Sequence, residues 1–311
     1  MKTIKLSIFI LLSGLLFSGV LYSCNKKTTQ TDEITDSIPE NAVPFEYTYK
    51  KGILISGTLN DSIHCRYLLE TGAMGVVFSD SLYNGSDNIK TEPKSDLILQ
   101  PMKVKIGQWE KIYNDSAYLI DKNHPAFKWF GKDVAWLPWR FFDKKIIEIN
   151  FSKKYIRELT NTDNLQNYDS VKMEIENGFL GIPVVVSVQG KKIKELLIFD
   201  TGNNGNIFFI NKIRPKYDIK AERVISRYNI VTDSIYIENN VKKKVKNGLW
   251  IAVDSIQIGK YFVPGEHWAS FRLNLRGRPM PFSGVIGTGV LDDLDLVLDL
   301  KNYYLYLKPN K

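Results

Sequence analysis

The sequence predicts a mainly β protein built as two lobes of one fold, related by a pseudo-twofold axis. Three observations carry that expectation. From about Phe45 onward the chain is a series of short β-branched and aromatic runs, among them "GILISGTL", "MKVKIG", "PVVVSVQG" and "LDLVLDL", broken by Gly, Asn and Asp. Short apolar runs bounded by turn formers are the strand signature, and helical periodicity is scarce. The chain also repeats itself: sliding it by 130 places "GTLNDSIHCRYLLETGAMG" (57–75) on "SVQGKKIKELLIFDTGNNG" (187–205) without a gap. Two later blocks recur in the same order at changed offsets, 102–120 on 254–271 and 139–156 on 288–305. Ordered repetition of this kind marks a duplicated unit.

Taken in order, residues 1–23 read as a lipoprotein signal peptide. Met1-Lys2-Thr3-Ile4-Lys5 is a short basic start and Leu6 to Leu21 is apolar. Leu21-Tyr22-Ser23-Cys24 resembles a bacterial lipobox, and the apolar run is short for a spanning helix. Cleavage before Cys24 leaves its thiol to carry a diacylglycerol. Membrane contact is then expected through that lipid, on an exported protein. Asn25, which is no Asp retention signal, favours the outer membrane facing the periplasm. Residues 24–44 are polar and aperiodic, with Pro39, and read as a lipid-anchored tether with a coil's reach of roughly 25 Å. An N-terminal β lobe is expected over 45–157, an inter-lobe linker over 158–171 and a C-terminal β lobe over 172–311.

With 44% hydrophobic and 12% aromatic residues, the chain of 311 can bury a sizeable core. Its +8 charge is spread along the sequence. The densest basic run, Lys242-Lys243-Lys244-Val245-Lys246, lies beside Asn-Asn and Asn-Gly and reads as a solvated hairpin tip, so nucleic acid is not expected as a partner. Cys65 has no disulfide partner once Cys24 is lipidated and reads as a small buried side chain. His64 beside it points to the opposite face of its strand. His64, His124 and His267 lack metal-ligand spacing, and no glycine-rich phosphate loop is present, so neither metal nor cofactor is expected.

The chemistry sits in the repeat. Each copy has an apolar strand ending in an acid, a threonine and a glycine: Glu70-Thr71-Gly72 and Asp200-Thr201-Gly202. Two carboxyl groups a few ångströms apart cannot both ionise cheaply, so such a pair retains one proton. Its charged member can take a proton from water while its neutral member donates to a carbonyl. Threonine can hydrogen-bond to the facing loop, and glycine lets the two backbones approach. A strand ending in D-T-G, a repeated half and the later Val285-Ile286-Gly287-Thr288 resemble the retropepsin-like and pepsin-like aspartic proteases. The likeness covers most of residues 45–311 and is closest to bacterial forms exported as lipoproteins.

That resemblance implies catalytic roles for Asp200 and Glu70, and support of their loops by Thr71, Gly72, Thr201, Gly202 and Gly287. It also implies an extended peptide or protein substrate held under a flap, with 85–104 the candidate flap, and a monomer. The first lobe departs from the family pattern twice. Glu70 is one methylene longer than Asp, which is expected to displace its carboxylate by over an ångström unless the loop retreats. Gly287 falls on Pro138, in Trp136-Leu137-Pro138-Trp139. Weak or absent cleavage of general substrates is therefore expected. Two functions follow: peptide hydrolysis by the Glu70/Asp200 pair, or a catalytically inactive homologue that binds peptide or envelope protein. The aromatic stretch 124–142 is read either as cleft lining or as core.

Overall fold

A computed structural model describes residues 38–48, 52–83, 98, 100–114, 116–120, 130–131, 133–203, 205–220, 235–238, 241–244, 250–263, 267–273 and 280–310. Cys24 and residues 1–23, read as a signal peptide, lie outside these residues. The first half contains β1 (Val43–Pro44), β2 (Glu46–Tyr47), β3 (Ile53–Leu59), β4 (Ile63–Leu69) and β5 (Val76–Ser79). It continues with β6 (Met102–Ile106), β7 (Trp109–Tyr113), β8 (Ala117–Ile120), β9 (Val134–Leu137), β10 (Ile146–Asn150) and β11 (Tyr155–Leu159). The second half begins with β12 (Asp169–Lys172), β13 (Glu174–Glu176), β14 (Phe179–Val188), β15 (Lys191–Asp200), β16 (Ile207–Ile210), β17 (Ile235–Glu238) and β18 (Val241–Lys244). It ends with β19 (Trp250–Val253), β20 (Ser255–Ile258), β21 (Tyr261–Val263), β22 (His267–Leu273), β23 (Gly284–Gly287), β24 (Leu294–Asp299) and β25 (Tyr304–Pro309). Two short helices, α1 (Ile213–Lys216) and α2 (Thr288–Leu291), and two 3₁₀ turns at 80–83 and 139–142 punctuate the strands.

Strand order demonstrates the duplication. One sheet runs β7-β6-β3-β4-β9-β5-β8; the other runs β21-β20-β14-β15-β23-β16-β22, with β19 added at its end. Relative directions match as well. β4 lies parallel to β9 and β15 parallel to β23, while β5 and β16 are antiparallel to those same strands. A third sheet, β1-β11-β10-β24-β25-β12, reads the same from either end when the lobes are exchanged. Its central pair, β10 and β24, joins the lobes across the pseudo-twofold axis, with Ile147 opposite Leu298 and Ile149 opposite Leu296.

Side-chain alternation explains which faces are covered. In β6 the buried Met102, Val104 and Ile106 alternate with Lys103 and Lys105, as in a strand with one wet face. The Ile106-Gly107 and Ile258-Gly259 steps turn back into β7 and β21, and both glycines hold positive φ, +53° and +59°. By contrast β15 ends in three consecutive buried residues, Leu197, Ile198 and Phe199. Phe199 faces the main core, whereas Ile198 packs with Phe282 and Val285 in a separate outer cluster. This covering of both faces fixes the strand end that carries the acid. Truncating Phe199 to Ala should cost about 3–5 kcal/mol.

Several boundaries differ from expectation. The stretch read as tether over 24–44 ends in β1, whose Val43 and Pro44 pair with Ile156 and Tyr155. The expected linker over 158–171 is strand at both ends, because β11 and β12 find partners in the shared sheet that only the folded molecule supplies. Of the candidate flap 85–104, residues 85–97 and 99 lie outside the described residues. Met102–Val104 belong to β6 and pair with β7, because Met102 and Val104 are apolar enough to be drawn into the core. Lys242–Lys244 lie within β18 rather than at a tip, paired to β17. Where it is described, the aromatic stretch is mostly core: Phe130, Trp139, Phe141 and Phe142 are buried, and Trp136 is partly buried against the Phe130 cluster. Cys65 is buried too, and burial pushes its thiol up to about 11.

Candidate active site

Two equivalent strand ends meet between the lobes. Glu70 follows the last residue of β4, and its N–H donates to the Leu137 carbonyl of β9 at 2.8 Å. Asp200 closes β15 in register with Gly287 of β23. Each acid then enters a tight turn closed by its own carbonyl, which accepts from Ala73 N–H at 3.0 Å in the first lobe and from Asn203 N–H at 3.3 Å in the second.

The threonines lock the two turns together. Thr71 Oγ1 donates to the Phe199 carbonyl at 2.7 Å and accepts from Thr201 N–H at 2.9 Å. Thr201 Oγ1 donates to the Leu69 carbonyl at 2.7 Å and accepts from Thr71 N–H at 3.2 Å. Both side chains are buried, so each hydroxyl satisfies a donor and an acceptor that water cannot reach. A net ~1 kcal/mol per bond understates the grip, because deleting one hydroxyl strands two backbone groups of the other lobe.

Above this grip the carboxyl groups of Glu70 and Asp200 are hydrogen-bonded to each other. Each rests on the glycine of the facing turn. A Cβ on Gly72 would lie 2.6 Å from Asp200 Cγ, and a Cβ on Gly202 would overlap the Glu70 carboxyl outright. The extra methylene of Glu70 therefore does not separate the acids; it carries the carboxyl across the seam onto Gly202, the one residue type that leaves room. Burial, the charge of Asp200 and the hydrogen bond to it hold the Glu70 carboxyl well above the usual carboxylate range, with Gly72 N–H opposing weakly. Asp200 Oδ1 accepts from Gly202 N–H at 3.0 Å and from Asn203 N–H at 3.2 Å. The raised proton affinity of Glu70 places the proton of the pair on that residue. Both residues are half-buried.

The bracing strands differ. In the second lobe Gly287 N–H donates to Asn206 O at 3.0 Å, Thr288 N–H to Asn203 O at 2.9 Å and Gly289 N–H to Gly205 O at 3.2 Å. A side chain on Gly287 would strike the Asn203 and Gly205 carbonyls. In the first lobe Pro138 holds the corresponding position, since Leu137 pairs with Leu69 as Ile286 pairs with Phe199. Proline has no N–H, and among the described residues no hydrogen bond ties 138–139 to the 71–75 loop. Instead the buried Trp139 donates its indole N–H to the Gly178 carbonyl of the other lobe at 2.9 Å. Sequence reasoning gave Trp139 no such role; its only signal was an indole where the other copy has threonine.

A cavity of about 650 Å³ lies on the second lobe against Val185, Leu196 and Phe282, and touches neither acid. No described cluster of His, Cys, Asp and Glu is gathered as metal ligands would be, and no described helix is long and apolar enough to cross a membrane. No protein-family model matches this sequence, and a search of curated proteins found no match.

Proposed function

We propose that the protein hydrolyses peptide bonds by the chemistry of an aspartic protease, with Asp200 as general base and Glu70 as general acid. The observation that carries this reading is the hydrogen-bonded pair of carboxyls on facing, threonine-locked turns. Asp200 takes a proton from water, the water oxygen attacks the scissile carbonyl carbon, and Glu70 gives its proton to the carbonyl oxygen. The resulting gem-diol collapses as Glu70 takes a hydroxyl proton back. The C–N bond breaks, and the amine leaves with the proton that Asp200 had gained. Such a mechanism needs one proton on the pair. The high affinity of Glu70 for it extends the active range toward neutral pH, with the alkaline limb set by its loss.

The test is a series assayed on peptide mixtures from acidic to neutral pH: wild type, Glu70→Asp, and Asp200→Asn. Asp200→Asn should lower kcat by ~10²–10⁴-fold, and Glu70→Asp should retain activity with its alkaline limb at lower pH. Cleavage that survives Asp200→Asn would sink the proposal. A second reading, peptide binding without hydrolysis, is favoured by Pro138, which removes the N–H clamp from one loop. No turnover by any variant, alongside peptide binding, would select it.

The same reading includes an exported lipoprotein anchored through Cys24. Labelled palmitate should enter the wild type and not Cys24→Ala; labelling retained in that variant would show the anchor misassigned.

A further inference from the structure

On the Glu70 loop and just past the strand that braces it, three elements from two lobes converge. Met74 lies on the Glu70 loop with 52% of its surface exposed, unusual for a large apolar side chain on a loop braced by core strands. Arg140 stands two residues beyond Pro138, exposed at its tip, its guanidinium 5.0 Å from the centroid of the buried Trp139 ring. The Asn177-Gly178 turn of the other lobe, pinned by Trp139, approaches both. A Cβ on Gly178 would sit 3.4 Å from Arg140 Nη2 and 3.5 Å from Met74 Cε. Stacking on an indole restricts the guanidinium, so less freedom is lost when it binds. Among the described residues Arg140 has no carboxylate partner, unlike Arg66 and Arg157, which are paired to Asp133 and Glu148.

We propose that Met74 and Arg140 form a subsite for an acidic side chain of the bound peptide, its methylenes on Met74 and its carboxylate on the guanidinium. This rests on the reading of the seam as a peptide site and adds the substrate class: peptides with Glu or Asp near the residue held at the acids. Lysine could not replace Arg140 here, since an ammonium neither stacks on indole as well nor offers a planar fork to a carboxylate.

The experiment measures fluorescence anisotropy of labelled peptides that differ only in Glu, Gln or Lys at one position, scanned along the peptide. The binders are the full chain, Arg140→Glu and Arg140→Gln, the last keeping part of the stem over Trp139. The wild type should bind the Glu peptide roughly tenfold more tightly than the Lys peptide at one position, as attraction gives way to repulsion at a partly exposed site. Arg140→Glu should reverse that order and Arg140→Gln should flatten it. No Glu preference at any position, or one that persists in Arg140→Glu, would overturn the subsite. Mass spectrometry of the same mixtures reads hydrolysis separately: preference without cleavage sinks the hydrolase and leaves the subsite, and cleavage without preference does the reverse. No binding of any peptide overturns the subsite together with the peptide site beneath it.

Discussion

A carboxyl group whose proton is held above the ordinary range lowers fold stability wherever the unfolded chain would already have released it, and Glu70 is such a group. Below an unfolded-state pKa of about 4.3 both states carry the proton and there is no cost. As pH rises the unfolded chain ionises first, and stability falls until Glu70 itself ionises. Glu70→Gln should therefore melt above the wild type at neutral pH, with the gap closing toward about pH 4. Melting curves across that range check the sign, and a gap independent of pH would contradict it. At this scale the sequence was legible where chemistry repeats. Thr71 and Thr201 sit at matched offsets, and their hydroxyl reach was foreseeable. Trp139 was not, because its partner, the Gly178 carbonyl, is 39 residues away and comes within reach only through tertiary packing. What the sequence did not show about Glu70 has a related reason: room for its extra methylene is supplied by Gly202 of the other copy.

The elements that hold the acids are asymmetric in a way that predicts unequal responses to substitution. Gly287→Ala places a methyl group against two carbonyls of the Asp200 loop. It should cost about 1–3 kcal/mol of stability and, by shifting the loop, ~10²-fold in activity. Its counterpart Pro138 already carries a ring where that glycine stands. Pro138→Ala should therefore leave the Glu70 loop in place and cost under about 1 kcal/mol, mainly by freeing the unfolded chain. Chemical denaturation of both variants compares them directly; equal losses would mean the two bracing strands do the same work after all. Strand existence was readable from alternation and glycine turns, and the acid-bearing strands stood out as apolar runs. Met102–Val104 read both as a strand, in "MKVKIG", and as the end of the candidate flap; their pairing with β7 decides for the strand, in a register no local pattern states.

For the whole molecule, the duplicated blocks revealed two lobes, but not the sheet they share. Pairing of β10 with β24 is set by the closing of two cores, and neither strand's sequence names the other. Because that sheet is continuous across the axis, the lobes should unfold together. Calorimetry and tryptophan fluorescence should report one coincident transition, and a fragment ending at residue 157 should lack native circular dichroism. Two separated transitions would show that each lobe stands alone.

The order of strands in that sheet also constrains how the chain can be made. β10 and β11 leave the ribosome well before β24, the strand that closes their exposed edge, and β25 comes later still. Throughout elongation the first lobe must carry an open hydrogen-bonding edge, an invitation to pair with another chain. Synthesis of β24 and β25 is thus a checkpoint: loss of β25 would leave both β12 and β24 without their shared neighbour.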